Sequence, residues 1–239
     1  MSLKEPTMAE HSAVKAIGHE EVLQLMDAGA QVVDVLPPED YARLHLPGAI
    51  NLPLSHFSDE TLTQLDRERP VVVYCADNEC DLSPRAAARL AAEGFAEVYD
   101  YVASLADWGA FGLPLEGEDA DIPTNRDLAR RDVPTCRMDE RVEALADRFG
   151  EHSVCAVVDG SGVLLGRLRG EDVRNHTGSV RDAMHPGPST FRPDVTNSEM
   201  AEWFEKRRDT DEFIITTLDG RLFGVLYRED VEQAVHEAH

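Results

Sequence analysis

Apolar and polar positions alternate along the first half of the chain in two rhythms. QVVDVL (31–36) and VVVYC (71–75) are continuous apolar runs, the pattern of strands covered on both faces. AINLPL and AEVYDYV read as two further strands. Helical spacing lies between them. Residues 19–28 place Val22, Leu23 and Met26 on one side and stop at Gly29. PPEDYARLHLPG makes a short helical turn closed by Pro47-Gly48, residues 59–65 a second helix, and SLADWGAFG a last short one. Residues 83–93 carry the strongest helical signal, with Ser83 suited to the N-cap, Pro84 to the first helical position and Gly94 to the stop. Strands alternating with helices predict a parallel sheet flanked by helices.

The rhythm breaks at EGEDADIPTNRD, which is polar, acidic and aperiodic, as a linker is. Beyond it the chain repeats itself. GVLLGRLRGEDV (162–173) aligns without a gap to GRLFGVLYREDV (220–231), with seven identities in twelve, and TCRMD (135–139) matches TFRPD (190–194). Each copy reads as an extended segment, a helix, a hairpin and a second helix. Asp159-Gly160 and Asp219-Gly220 are the expected hairpin turns. Neither copy has enough residues for its own core, so the two are expected to pack together. The expected domains are 1–118, a linker at 119–127, and 128–239, divided into repeats 128–178 and 179–239.

Composition narrows the function. A net charge of -23 over 239 residues excludes neutralisation of a nucleic-acid backbone or of an anionic membrane surface. Its plain meaning is a solvated acidic surface. No apolar run is long enough to span a bilayer. The start, MSLKEPTMAEH, has no apolar centre, so no secretory signal is expected. Cys75, Cys80, Cys136 and Cys155 are too few for a disulfide scaffold and lack zinc-ligand spacing. A reducing, cytoplasmic setting without a metal is the expectation. Cys136 and Cys155, in extended segments of the repeat, read as core residues.

Cys75 reads differently. It closes a parallel strand at the carboxyl edge, where open α/β sheets bind ligands, and the loop after it leads into a helix N-terminus. Unpaired amides and the positive end of the helix dipole favour an anion there. The expectation is a lowered-pKa thiol nucleophile. The loop Ala76, Asp77, Asn78, Glu79, Asp81, Leu82, Ser83 would form the anion cradle, with Arg85 either assisting at the helix start or lying on a solvated face.

Four motifs in order make the first half resemble the rhodanese (sulfurtransferase) family over about 15–117. They are VVDVLPPEDYARLHLPGAINLPL, VVVYC, SPRAAARLAAEGF and SLADWGAFGLPLE. The resemblance implies that Cys75 takes a sulfane sulfur as a persulfide and hands it to a thiol acceptor. It implies structural roles for Asp34 and His45; Trp108 reads as core. The loop is two residues longer than the usual one and resembles a subgroup with a second cysteine five places on, here Cys80. Two readings of Cys80 stand: a redox or resolving partner, and an incidental loop residue. Asp77, Glu79 and Asp81 replace the basic residue many rhodaneses carry, and Ala103-Ser104 replaces the usual glycine pair. Carboxylates turned inward would repel thiosulfate, whereas turned to water they are screened over ~8–10 Å. A neutral or protein-borne persulfide fits better as donor than thiosulfate. The essential arginine of the phosphatases sharing this fold is absent.

The repeat resembles a pair of CBS domains, a Bateman module, over about 128–239. It implies adenine-nucleotide sensing, with AMP or ATP as ligand type, and homodimerisation through the pair. Asp172 and Asp230 fall where the family binds ribose, and Arg169 and Tyr227 where it carries a hydroxyl residue. An aspartate at a helix start also has a capping role. The sequence therefore predicts a rhodanese-like parallel sheet followed by an α+β CBS pair. The function it suggests is a sulfurtransferase that requires no cofactor and is regulated by the pair. The alternative is a persulfide or redox sensor without turnover, or an interaction scaffold.

Overall fold

The computed structural model describes residues 14–149 and 154–237. The polar start, 1–13, lies outside the described residues. Two units divide the chain, Met1–Asp121 and Ile122–His239. Residues 122–127, read from sequence as linker, thus fall in the second unit.

In the first unit, β2 (Gln31–Asp34) and β4 (Val71–Tyr74) are buried at every position. Both of their faces meet apolar cores. Val33, Val71 and Val73 pack with Leu62, Leu90 and Phe95, while Val32, Val72 and Tyr74 pack with Val22, Leu46 and Trp108. β1 (Lys15–Ile17), β3 (Ile50–Asn51) and β5 (Val98–Tyr101) complete a sheet of order β1-β5-β4-β2-β3, parallel throughout. The helices are α1 (His19–Asp27), α2 (Pro38–Arg43), α3 (Leu82–Ala92) and α4 (Ser104–Ala110). β1 carries no legible pattern because it is a three-residue edge strand. The helix expected over 59–65 is a single 3₁₀ turn, Thr61–Gln64, whose buried residue is Leu62 alone; an isolated anchor does not sustain a longer helix.

The second unit is an intertwined repeat. One copy contributes α5 (Asn125–Leu128), β6 (Thr135–Cys136), α6 (Ala146–Phe149), β7 (Val154–Val158), β8 (Leu164–Arg169) and α7 (Gly170–Asn175). The other contributes α8 (Val180–Ala183), β9 (His185–Pro186), β10 (Thr190–Phe191), α9 (Asn197–Lys206), β11 (Glu212–Thr216), β12 (Leu222–Tyr227) and α10 (Arg228–Glu237). The sheets are β6-β7-β8-β9 and β10-β11-β12. Each lead-in segment leaves its own copy and docks on the other. α8 binds the first copy through Val180 N–H to Glu140 O and Arg181 N–H to Met138 O, and β9 adds to β8. α5 binds the second copy through Asn125 N–H to Val195 O and Arg126 N–H to Pro193 O, and Arg130 bridges Val225. Val154, Ile214 and Val225 join the copies in a shared apolar contact.

Both hairpins differ from expectation in the same way, closed by Gly162 N–H to Asp159 O in the first copy and by Gly220 N–H to Thr217 O in the second. In the second copy Gly220 takes the left-handed turn position, φ +78°. In the first that position belongs to Gly162, φ +89°, while the Asp159 carboxylate accepts the Ser161 and Val163 amides. Neither Asp159-Gly160 nor Asp219-Gly220 is therefore the two-residue turn that its letters suggest. Among the described residues no helix is long and apolar enough to cross a membrane.

Candidate functional site

Cys75 follows β4 directly and its side chain is fully buried. Its sulfur lies 3.6 Å from Ser83 Oγ, 3.6 Å from the Cys80 carbonyl and 3.8 Å from the Asp77 carbonyl. Its backbone N–H donates to Ser104 Oγ at 3.0 Å. Ser104 Oγ donates to the Tyr101 carbonyl at 2.8 Å, so its one proton is committed. The amides of Leu105 and Ala106 hold the carbonyls of Cys75 and Ala76 at 3.4 and 3.0 Å. The start of α4 thus fixes the backbone under the nucleophile.

The expected depression of the thiol pKa is not what this geometry produces. Burial pushes the Cys75 thiol up, and the neighbouring Cys80 thiol pushes it further. The hydroxyl and amide of Ser83 act in the opposite direction by favouring the thiolate, while in the resting thiol the S–H faces Ser83 Oγ as its acceptor. The resting group is a thiol, closed off by its own loop.

Ser83 also departs from its expected place. α3 begins at Leu82 with Asp81 as N-cap, and no side chain caps it. Ser83 sits inside the first turn, buried, because its hydroxyl serves Cys75 and hydrogen-bonds Asp100. The acidic loop residues separate by role. Asp77 Oδ1 accepts the amides of Glu79 and Cys80 at 2.9 and 3.1 Å and so shapes the loop. Ala76, Asn78, Glu79 and Asp81 are exposed; Leu82 is half-buried against the core. Arg85 is exposed and reaches Asp81 at 3.4 Å, not the sulfur. Cys80 is half-buried with a free thiol.

In the second unit, both aspartates singled out from sequence are already bonded. Asp172 Oδ2 accepts the Arg169 backbone N–H at 2.7 Å, the cap of α7, and its Oδ1 lies 3.0 Å from His185 Nε2. Asp230 takes a two-point contact from Arg130, Nε to Oδ2 at 2.9 Å and Nη2 to Oδ1 at 2.8 Å. Arg130 lies over the Tyr227 ring, 4.5 Å from its centroid. Cys136 and Cys155 are buried neighbours in the first copy's core.

The rhodanese-like domain model matches residues 18–111 and the CBS domain model residues 126–177. Over 99 residues the chain is 33% identical to the thiosulfate sulfurtransferase GlpE of Ectopseudomonas mendocina (strain ymp), covering 41% of this chain and 88% of that protein. The chain belongs to the rhodanese-like family. Over 102 residues it is 36% identical to the HTH-type transcriptional regulator Rv0324 of Mycobacterium tuberculosis (strain ATCC 25618 / H37Rv), covering 42% of this chain and 44% of that one. It therefore spans under half of that relative's length. Two solved structures also resemble it. CBSX2 in complex with AMP has a TM-score of 0.43 and 19% identity, covering 48% of this chain and 98% of that one. The cytosolic domain of the Mg2+ channel MgtE in complex with ATP has a TM-score of 0.42 and 22% identity, covering 45% and 46%.

The rhodanese-like unit contains three polar residues with functions the sequence did not announce. Ser104 holds a left-handed φ of 56°, and its hydroxyl supplies the acceptor for the Cys75 amide. Asp100, buried on β5, is raised by desolvation and eased by Ser83. Ser83 was legible as a cap and as part of the cradle, but not as the partner of Asp100. Asp34 is fully buried, bonded by the Leu36 amide at 2.8 Å, and raised to about 6 by desolvation. His45 stacks on Tyr41 and bonds its carbonyl, while its backbone pairs with Glu116. Trp108 is buried and donates to the Pro114 carbonyl at 2.7 Å.

Proposed function

We propose that the rhodanese-like unit is a sulfurtransferase that carries sulfane sulfur on Cys75. The observation that carries this reading is the Cys75 sulfur at a strand end, facing the hydroxyl and amide of Ser83. The Cys75 thiolate attacks the outer sulfur of a persulfide R–S–SH. The S–S bond breaks, R–S⁻ leaves with the electron pair, and it takes up the proton that Cys75 gave up. Cys75 then bears S–SH. An acceptor thiolate attacks that outer sulfur and Cys75 thiolate leaves. The anionic forms are stabilised by donation from Ser83. Arg85 faces water beside Asp81, which leaves thiosulfate without a cationic partner at the sulfur; a persulfide or polysulfide is the preferred donor.

The second unit, in this reading, is a regulatory module that senses an adenine nucleotide and joins two chains into a homodimer. Acceptor and donor meet it in a reducing, cytoplasmic setting. Its proposed contacts are Asp172 and Arg169 in one half and the corresponding Asp230 and Tyr227 in the other, where Arg130 now occupies both. The first copy's match to a CBS domain and the duplication of its elements support this role.

The nearness of Cys80 favours a second reading, a sensor. Cys80 thiolate attacks the inner sulfur of the Cys75 persulfide, HS⁻ leaves, and a disulfide forms. Intact mass separates the two after exposure to polysulfide, then thiosulfate, on the wild type, Cys75→Ser and Cys80→Ser. One added sulfur that requires Cys75, survives Cys80→Ser and is discharged by a thiol establishes the carrier. Loss of two hydrogens, abolished by either substitution, establishes the sensor. No change with either donor overturns both.

A further inference from the structure

The two halves of the repeat are built from corresponding residues but finished differently. In each, the lead-in segment of one copy crosses the second hairpin strand of the other at a glycine. A Cβ on Gly166 would lie 2.8 Å from the His185 carbonyl, and one on Gly224 would lie 2.7 Å from the Arg130 carbonyl. Only glycine admits these crossings. They deliver His185 to Asp172 and Arg130 to Asp230.

At the Asp230 half both oxygens of the aspartate are used. Arg130 bonds both oxygens of Asp230, and its Nη2 also bonds Glu229 at 2.8 Å. Its guanidinium covers the face of Tyr227. A planar donor group stacked on an aromatic ring and paired with a carboxylate is what a bound ligand would present there. The protein supplies it from its own chain.

At the Asp172 half the corresponding strand positions carry charge. Arg167 and Arg169 stand where the other half has Val225 and Tyr227, and Glu212 where the other copy has Val154. The Glu212 side chain is 8% exposed, and its Oε1 accepts no hydrogen bond from any described residue. The nearest cations are Arg167 Nη1 at 3.7 Å and Arg169 Nη2 at 3.5 Å, ion contacts that are not hydrogen bonds. Two guanidinium groups thus share one buried carboxylate oxygen, and among the described residues neither donates a hydrogen bond. Arg169 and the 58%-exposed side chain of His185 open this group to solvent.

We infer that the pair takes one phosphate-bearing ligand per chain, at Arg167, Arg169 and His185, while Arg130 acts as an internal ligand that keeps the Asp230 half shut. The inference rests on the proposed nucleotide-sensing role for the identity of the ligand, though not for its charge. The phosphate is held by the donors of Arg167 and Arg169, with Glu212 as the counter-ion that keeps the two guanidinium groups together before it arrives.

Calorimetric titration of the full chain with AMP, with ATP and with pyrophosphate tests it, on the wild type, Arg167→Ala/Arg169→Ala, Arg130→Ala and Arg130→Gln, with thermal melts confirming that each variant folds. The expected result is one site per wild-type chain for AMP or ATP. The double arginine variant should lose at least tenfold in affinity, and one or both Arg130 variants should gain a second nucleotide site. Two sites in the wild type would overturn the proposal. So would unchanged affinity in the double arginine variant, or failure of both folded Arg130 variants to gain a site. Pyrophosphate binding that needs Arg167 and Arg169, without nucleotide binding, would retain the anion site and sink the nucleotide reading. No binding of any probe would overturn both.

Discussion

The acidic groups around Cys75 in the rhodanese-like unit and the two helix-start aspartates of the CBS-pair-like unit are held by different routes. Around Cys75 the buried groups are held toward their neutral forms. The thiol is raised, Asp100 is raised, and Asp34 is raised to about 6. One oxygen of each of these carboxyls accepts no hydrogen bond from a described residue. In the second unit, Asp172 and Asp230 each meet a side chain brought by the other copy's lead-in segment. The difference separates two kinds of poise. A buried acid held toward its neutral form must give up its proton before it can act, whereas a carboxylate already paired with a cation must first exchange that partner.

The sharpest break of the first route is removal of the thiol. Cys75→Ser should abolish sulfur loading outright while leaving the melt close to wild type, since serine nearly matches cysteine in volume. Intact mass and a thermal melt check both halves. Loading that persists in this variant would move the chemistry to Cys80.

Asp34→Asn tests the cost of burying a carboxyl that can ionise. The folded Asp34 carboxyl, at about 6, binds its proton more tightly than the unfolded one at 3.8. Stability from this group is therefore fully present below pH 3.8 and is lost as pH rises to about 6, with an upper bound of roughly 3 kcal/mol. The asparagine variant keeps the acceptor for the Leu36 amide and loses the titration. Its stability relative to wild type should grow between pH 4 and 6 and then stay level. Denaturant melts at pH 4, 5, 6 and 8 read this directly, and a pH-independent difference would refute it.

The paired route breaks at the crossings. Gly166→Ala and Gly224→Ala each press a methyl against a backbone carbonyl. Each should destabilise the second unit by about 1–3 kcal/mol. Equal costs measured in denaturant would show that the two crossings are structurally equivalent even where their side chains diverge.

Much of this was legible in the sequence for a physical reason. β2 and β4 are buried on both faces, so their residues read as unbroken apolar runs, and the repeat is visible because Gly166 and Gly224 answer to the same steric demand. What stayed hidden depends on contacts between residues far apart in the chain. Ser83 reads as a cap and cradle residue because its neighbours are local, and only the fold brings its hydroxyl to Asp100. The raised thiol was hidden likewise, since burial by a loop cannot be read from the letters of that loop. The exchange of lead-in segments placed Arg130 on Asp230, a hundred positions away.

Smaller effects separate the two serines at the thiol. Ser83→Ala removes a donor from the sulfur, so the Cys75 pKa should rise further, and the alkylation profile with iodoacetamide should move to higher pH. Ser104 acts on the backbone instead. Alanine there removes the acceptor for the buried Cys75 amide, at about 1–3 kcal/mol, and keeps the left-handed φ of 56°. Glycine removes the same acceptor but relieves the strained conformation, by about 1–2 kcal/mol. Ser104→Gly should therefore be the more stable of the two variants by about that amount, with the alkylation profile shifted less than in Ser83→Ala. If alanine and glycine are equally stable, Ser104 is unstrained and its hydroxyl alone accounts for its place. If glycine exceeds the wild type, the bond to the Cys75 amide is worth less than the strain that Ser104 bears to make it.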